Sequence, residues 1–143
     1  MRAPGGEDAC VIDSGRRRAY LRVDRATFER FALTAPEASG WLRAHRLSGL
    51  CLVSERARNE VALRVFTTSL DGAEDVATGG AAACLPAFLG RDGDVTVHQG
   101  LGPARRRGVI RVRSDHEAVR VGGACRLLIA GALAPRALDG EDV

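Results

Sequence analysis

Aromatic residues are scarce in this chain, at 4%, so any core must be built mainly from valine, leucine and alanine. No apolar run approaches the roughly 20 residues that a membrane helix needs, and no membrane-spanning role is expected. The first residues, Met1 to Asp8, carry acids and no apolar stretch, so they do not read as a secretory signal. Cysteine pairs are missing too. Cys10, Cys51, Cys84 and Cys125 are widely spaced, with no CxxC and no histidine cluster nearby. A metal site is therefore not expected, and a reduced, cytoplasmic protein with buried thiols is. The net charge of +3 comes almost wholly from arginine, concentrated in Arg16-Arg17-Arg18 and Arg105-Arg106-Arg107. A nucleic-acid binder would add stacking aromatics or a reading motif beside such runs, and neither is there. Solvated loop ends are the main expectation for these arginines; an anionic ligand or partner is the alternative.

What is present fits one domain. The chain has 143 residues, 45% hydrophobic and 27% charged, enough to bury a real core. A leader over 1–8 precedes a single lobe over 9–134, and a tail over 135–143 looks frayed. Apolar residues from Ala9 to Ile12 lead into a turn at Asp13-Ser14-Gly15, and Tyr20, Leu21 and Val23 suggest a second strand. Helices are expected over 25–32 and 36–45, the second with Pro36 at its first position and Thr34 as a cap. Leu50 to Val53 reads as a short strand. Val61, Leu63 and Val65 alternate with Ala62, Arg64 and Phe66, which predicts a strand with one buried face.

From Ala81 to Leu89 no residue is charged. A helix apolar all round must be enclosed on all sides. Thr78 suits its N-cap, and Gly79-Gly80 would allow another group close to the first turn. Pro86 would cost the hydrogen bond to the Ala82 carbonyl and kink an unbroken helix. After a turn at Gly90 to Gly93, four strand-like pieces follow, over 95–98, 109–113, 118–121 and 125–129. Antiparallel strands around a central apolar helix make an α+β, barrel-like lobe.

The chemistry is expected in the segment Gly72 to Gly80. Glu74 and Asp75 immediately precede the Thr78-Gly79-Gly80 helix start. Unpaired N–H groups and the positive dipole end of a first turn suit a carboxylate or a developing enolate. A neighbouring acid can move protons if its environment tunes it. Donors aimed at an oxyanion, plus a positioned acid, equip a site for proton transfer next to a carbonyl. The alternative is that Glu74 or Asp75 simply caps the helix.

Arg64-Val65-Phe66, followed by Glu74-Asp75-Val76-Ala77-Thr78-Gly79-Gly80-Ala81, resembles the R-x-F … E-D-P-A-T-G-S-A signature of the phenazine-biosynthesis isomerase (PhzF-like) family. Gln99-Gly100, the second arginine run, Ile110-Arg111-Val112 and Val119-Arg120-Val121-Gly122-Gly123 resemble that family's later motifs in the same order. Ser14-Gly15 sits where the family enters its second lobe. The resemblance implies a diaminopimelate-epimerase-like fold: two lobes, each a curled, mostly antiparallel sheet around a central helix, with the active site between them. It implies cofactor-free proton shifts on small acids, with Asp75 helping to hold substrate or handle protons. Val76 replaces the family proline, Gly80 replaces its serine, and either Arg105 or Arg106 answers to its R-P-S arginine. Everything matched belongs to the second lobe. The first lobe, with its glutamate beside G-N-P, has no counterpart.

These readings converge on a cofactor-independent isomerase, epimerase or cyclase acting on a small carboxylated or carbonyl-bearing metabolite. Asp75 and Glu74 are its candidate acid/base pair; Thr78, Gly79, Gly80, Arg64 and His98 are candidate substrate contacts. Arg64 either pairs with a carboxylate near the site or is the outward polar residue of its strand. The missing half of the cleft would come from a second copy, since the family's lobes are related by an approximate two-fold, or from a separate first-lobe protein. A lobe that binds a ligand or partner without catalysis is the other alternative. His45 and His116 are expected in solvent, Trp41 as a packing residue, and Cys84 as core.

Overall fold

The computed structural model describes residues 8–101, 108–126, 128, 130 and 131. The alternating segments form one sheet. Its strands are β1 (Ala9–Asp13), β2 (Arg17–Arg22), β3 (Gly49–Ala57), β4 (Glu60–Thr67), β5 (Glu74–Asp75), β6 (Gly93–Gln99), β7 (Gly108–Ser114) and β8 (Val119–Gly122). They lie in the order β1-β2-β3-β4-β6-β7-β8, and β5 pairs with β4 off this path. Pairing is parallel at β2–β3 and β4–β6 and antiparallel elsewhere.

Helices α1 (Arg25–Arg30) and α2 (Ala35–Ala44) cross between the parallel strands β2 and β3. Helices α3 (Gly79–Ala82) and α4 (Leu85–Leu89) lie against the other face. We call the α3–α4 side inner and the α1–α2 side outer. The inner core gathers Tyr20, Cys51, Val53, Val61, Leu63, Val65, Val95, Val97, Ile110 and Val112 around Ala81, Ala82, Leu85 and Phe88. The outer core places Phe28, Ala38 and Leu42 on Ala19, Leu50, Leu52, Ala62 and Phe66. A methyl group on Gly79 would lie 3.8 Å from Val121 of β8, and one on Gly80 would lie 3.4 Å from Arg18 of β2. Laid flat, those strands would stand about 24 Å apart at the usual interstrand spacing. A single turn of helix touches both because the sheet curls around it.

Several expectations are corrected. Helix α1 ends at Arg30, two residues early, and Pro36 is the second residue of α2 rather than the first. The apolar helix is broken in two at Ala83-Cys84. Pro86 cannot donate to Ala82, so the chain stops there and restarts with Pro86 in the first turn of α4, where a missing donor costs nothing. It is nonetheless enclosed as expected, with only Ala87 fully exposed between Ala81 and Leu89. Strand β4 is buried on both faces, not one, because α1 and α2 cover Ala62, Arg64 and Phe66. Cys125, Arg126 and Leu128 are in no strand, and Leu128 is exposed.

Cys51 and Cys84 are buried, but Cys10 is only partly so and Cys125 is exposed. Trp41 is 39% exposed and stacks on His45 rather than entering the core. His45 and His116 are in solvent, as expected. The tail and the Arg105-Arg106-Arg107 run lie outside the described residues, and of the leader only Asp8 falls within them.

Gly72 shows why this chain needs glycine before the motif. Its φ is +91°, and a Cβ there would sit 2.2 Å from the Ala35 carbonyl oxygen. The start of α2 therefore presses directly on the strap that leads to Glu74 and Asp75.

Leu85 is wholly buried in the inner core. Leu85→Ala should cost about 2–5 kcal/mol, read as a fall in the denaturant midpoint. At the start of α2 the Glu37 carboxylate accepts from the Thr34 hydroxyl and amide at 2.7 and 2.9 Å. These bonds hold its pKa below the ordinary 4.5. Its stabilisation should be complete above that pH and lost as pH falls through the lowered native value. Glu37→Gln should flatten that part of the stability profile.

Candidate functional site

Strand β5 is two residues long, and its two carboxylates point to opposite faces. Glu74 pairs with Phe66 and Asp75 with Val65 across β4. Phe66 belongs to the outer core and Val65 to the inner one. The sequence places the two acids side by side; the fold separates them.

Glu74 meets Arg64 on the outer side. The guanidinium donates Nε to Oε1 at 3.0 Å and Nη2 to Oε2 at 2.7 Å, a bidentate pair. Its Nη1 donates to the carbonyls of Phe28 and Phe31 at 3.0 and 2.6 Å. The cation also lies over the rings of Phe31 and Phe66. Arg64 is 5% exposed, and this pairing joins the end of α1 to the strap under α2. Of its two expected roles, Arg64 takes the carboxylate partner.

Asp75 belongs to the inner side. Its Oδ2 accepts the Thr78 hydroxyl at 2.6 Å and its Oδ1 accepts the Ala77 amide at 3.3 Å. Behind this pair stands Gln99, wholly buried at the end of β6. Gln99 Nε2 donates to the Asp75 carbonyl at 2.7 Å and to Thr78 Oγ1 at 2.9 Å. Its Oε1 accepts the Thr78 amide at 2.8 Å. Donor and acceptor ends of the amide are thus both assigned by their partners. The Thr78 oxygen receives from Gln99, so its single hydroxyl hydrogen is directed at Asp75. Thr78 stands at the N-cap position of α3 without capping it; its hydroxyl serves Asp75 instead.

Gly79 and Gly80 follow, both exposed. Among the described hydrogen bonds their N–H groups donate to nothing, whereas Ala81 and Ala82 donate to the Thr78 carbonyl at 3.0 Å. Val76 and Val121 flank this turn, 60% and 42% exposed. The result is an exposed mouth with two donors unpaired among the described residues, an oriented carboxylate and an exposed apolar rim.

His98 is not brought to this mouth. It neighbours Gln99 in β6 and so faces outward, where it lines a groove of about 540 Å³ with Arg25, Phe28 and Arg56. Cys84 is buried at the joint between α3 and α4, its thiol 3.4 Å from the Ser14 hydroxyl. Among the described residues, no group of three or more His, Cys, Asp or Glu could hold a metal ion.

Two residues gained a position that the sequence reading had not given them. Gln99 follows Val95 and Val97 on the apolar phase of β6, and a polar residue continuing such a phase is the signal of a buried, satisfied amide. Arg18 shares the inner phase of β2 with Tyr20 and is buried, so the first arginine run is not wholly a solvated loop end.

The sequence matches no protein-family model and no curated protein. Its fold matches solved structures. A phenazine-biosynthesis PhzC/PhzF protein of Clostridium difficile (strain 630) superposes with a TM-score of 0.59 at 17% identity, covering 87% of this chain and 46% of that one. A phenazine biosynthesis protein of the PhzF family from Enterococcus faecalis gives 0.47 at 16% identity, covering 78% and 40%. The lobe has the PhzF-type, diaminopimelate-epimerase-like fold. This chain spans less than half the length of either neighbour.

Arg64→Met should destabilise the fold by about 3–5 kcal/mol, because it leaves Glu74 partly buried without its partner. Replacing both residues with apolar ones should recover much of that loss in a denaturation series, which identifies the pair as structural.

Proposed function

We propose that this lobe is half of a cofactor-independent isomerase or epimerase that moves a proton next to a carbonyl or carboxylate of a small metabolite. The observation that carries the reading is the Asp75 carboxylate. It is fixed in rotamer by Thr78 and Gln99 and set beside two N–H groups that donate to nothing among the described residues. In this reading Asp75 takes or returns the proton on carbon. The Gly79 and Gly80 amides stabilise negative charge developing on the substrate oxygen. Thr78 and Gln99 hold the acid in place so that little reorganisation is needed at the moment of transfer. Glu74, tied to Arg64 on the other face, supports the strap rather than the chemistry.

Gly79 and Gly80 are exposed, and a proton transfer of this kind needs water excluded. A second copy of the chain, placed over the Val76–Val121 rim, would close it and bring a second Asp75 to the same cleft. The second reading is a lobe that needs a separate first-lobe protein. It is favoured by the exposed Val76 and Val121, which a first-lobe protein would cover as well as a second copy.

The test is exchange of carbon-bound hydrogen in deuterated water, followed by proton NMR over a panel of small 2-oxo, 2-amino and unsaturated carboxylic acids. Exchange that disappears in Asp75→Asn is the expected result, with a solution mass twice 15.2 kDa. Exchange undiminished in Asp75→Asn would remove the assignment. A monomer active only with an added first-lobe protein would select the second reading.

A further inference from the structure

Arg18 is 8% exposed, yet among the described residues its guanidinium has no hydrogen-bond or ion-pair partner. Other partly buried arginines of the lobe are paired, Arg22 with Glu55 and Arg64 with Glu74. Burying an unpaired cation is costly, and two glycines lie along this one. A methyl group on Gly49, its partner in β3, would lie 3.4 Å from Arg18 Cγ and 3.6 Å from Cδ. A methyl group on Gly80 would lie 3.4 Å from Nη2 and 3.9 Å from both Cζ and Nη1. The aliphatic stem thus runs over one glycine and the guanidinium rests on the other.

Among the described residues, no carboxylate is paired with it. The groups that sense the Arg18 charge are the Tyr20 hydroxyl and the Cys51 thiol, and burial outweighs it at both. The thiol is pushed up to about 12 and the phenol is raised as well, so both stay neutral near pH 7. Every fully buried side-chain nitrogen or oxygen among the described residues has a hydrogen-bond partner. The unpartnered Arg18 nitrogens must therefore reach solvent, and the exposed turn beside them is Gly79-Gly80. Gly80 is also where the signature that this segment resembles carries a serine. A methyl group at that position would only touch the guanidinium.

We propose that Arg18 is the receptor for an oxyanion, a carboxylate or phosphate group of a small ligand, bound between its guanidinium and the free N–H groups of Gly79 and Gly80. The site deepens the reading above by giving the substrate a charged group, but binding needs no turnover. The anion would complete the pairing that Arg18 lacks, in a partly desolvated place where a planar fork and two amides meet.

The experiment is a titration of the full chain, labelled with nitrogen-15, with sodium benzoate and separately with inorganic phosphate. The expected result is saturable shifts of the Gly79 and Gly80 amides and of Arg18 Nε with at least one probe; the tighter probe identifies the anionic group. Arg18→Met should weaken binding about tenfold or more. Arg17→Met removes the same charge from an exposed neighbour and should change it by no more than about twofold. Arg18→Lys, which keeps the charge but loses the planar fork, should also weaken binding and serves if Arg18→Met fails to fold. Asp75→Asn should bind at least as tightly as the unaltered chain, so lost exchange and lost anion binding are separate outcomes. No saturable shift with either probe, or equal losses in Arg17→Met and Arg18→Met, would overturn the proposal.

Discussion

The uncharged stretch from Ala81 to Leu89 must be kept from water on nearly every side, and most of the architecture answers to that demand. A flat sheet could cover only one side of it. A sheet that curls, with Val53, Val61, Leu63, Val97 and Val112 facing inward, covers it almost entirely. The curl brings strands near both ends of the sheet to the same short helix, so Arg18 from β2 and Val121 from β8 reach consecutive glycines. The hydroxyl of Tyr20 donates to the Ala81 carbonyl at 3.0 Å, which ties the broken helix to the sheet at the point where it begins. The mouth at Thr78 is where the enclosed segment comes out to solvent.

Around that mouth, polar groups sort by whether their needs are met within the lobe. Glu74, Arg64, Thr78 and Gln99 are satisfied by one another or by backbone, and each holds something in position. Asp75 keeps acceptor capacity, and the Gly79 and Gly80 amides and the Arg18 guanidinium keep donors. A buried polar group with all its bonds made is architecture; one left short is available to a ligand. By that criterion the available groups lie on the inner side of the sheet and the structural ion pair on the outer side.

Much of this was legible in the sequence. The uncharged helix had to be enclosed, and the residues before it had to sit at an opening; neither inference required a sheet order. Three things were hidden for physical reasons. Adjacent carboxylates look like a pair until a two-residue strand sends them to opposite faces, and periodicity cannot announce a strand so short. His98 looked close to the site because it precedes Gln99, but alternation puts neighbours in β6 on opposite faces. Arg18 was masked by Arg16 and Arg17, which are exposed as a charge run should be. Only its phase with Tyr20 distinguished it. The break at Cys84 follows from Pro86, whose effect was anticipated as a kink and appears as a full stop and restart.

The parallel pairing of β4 with β6 carries a kinetic consequence. The hairpins β3–β4 and β6–β7 are local in sequence and can close early, since short loops cost little entropy to form. Gln99 reaches Thr78 only after β6 has come alongside β4, and that pairing joins Leu63 to Gln99 across the whole strap and both inner helices. Asp75 thus gains the support of Gln99 only when this long-range pairing is made. A chain whose β6 had not docked on β4 would have no assembled site, whatever else of it had formed.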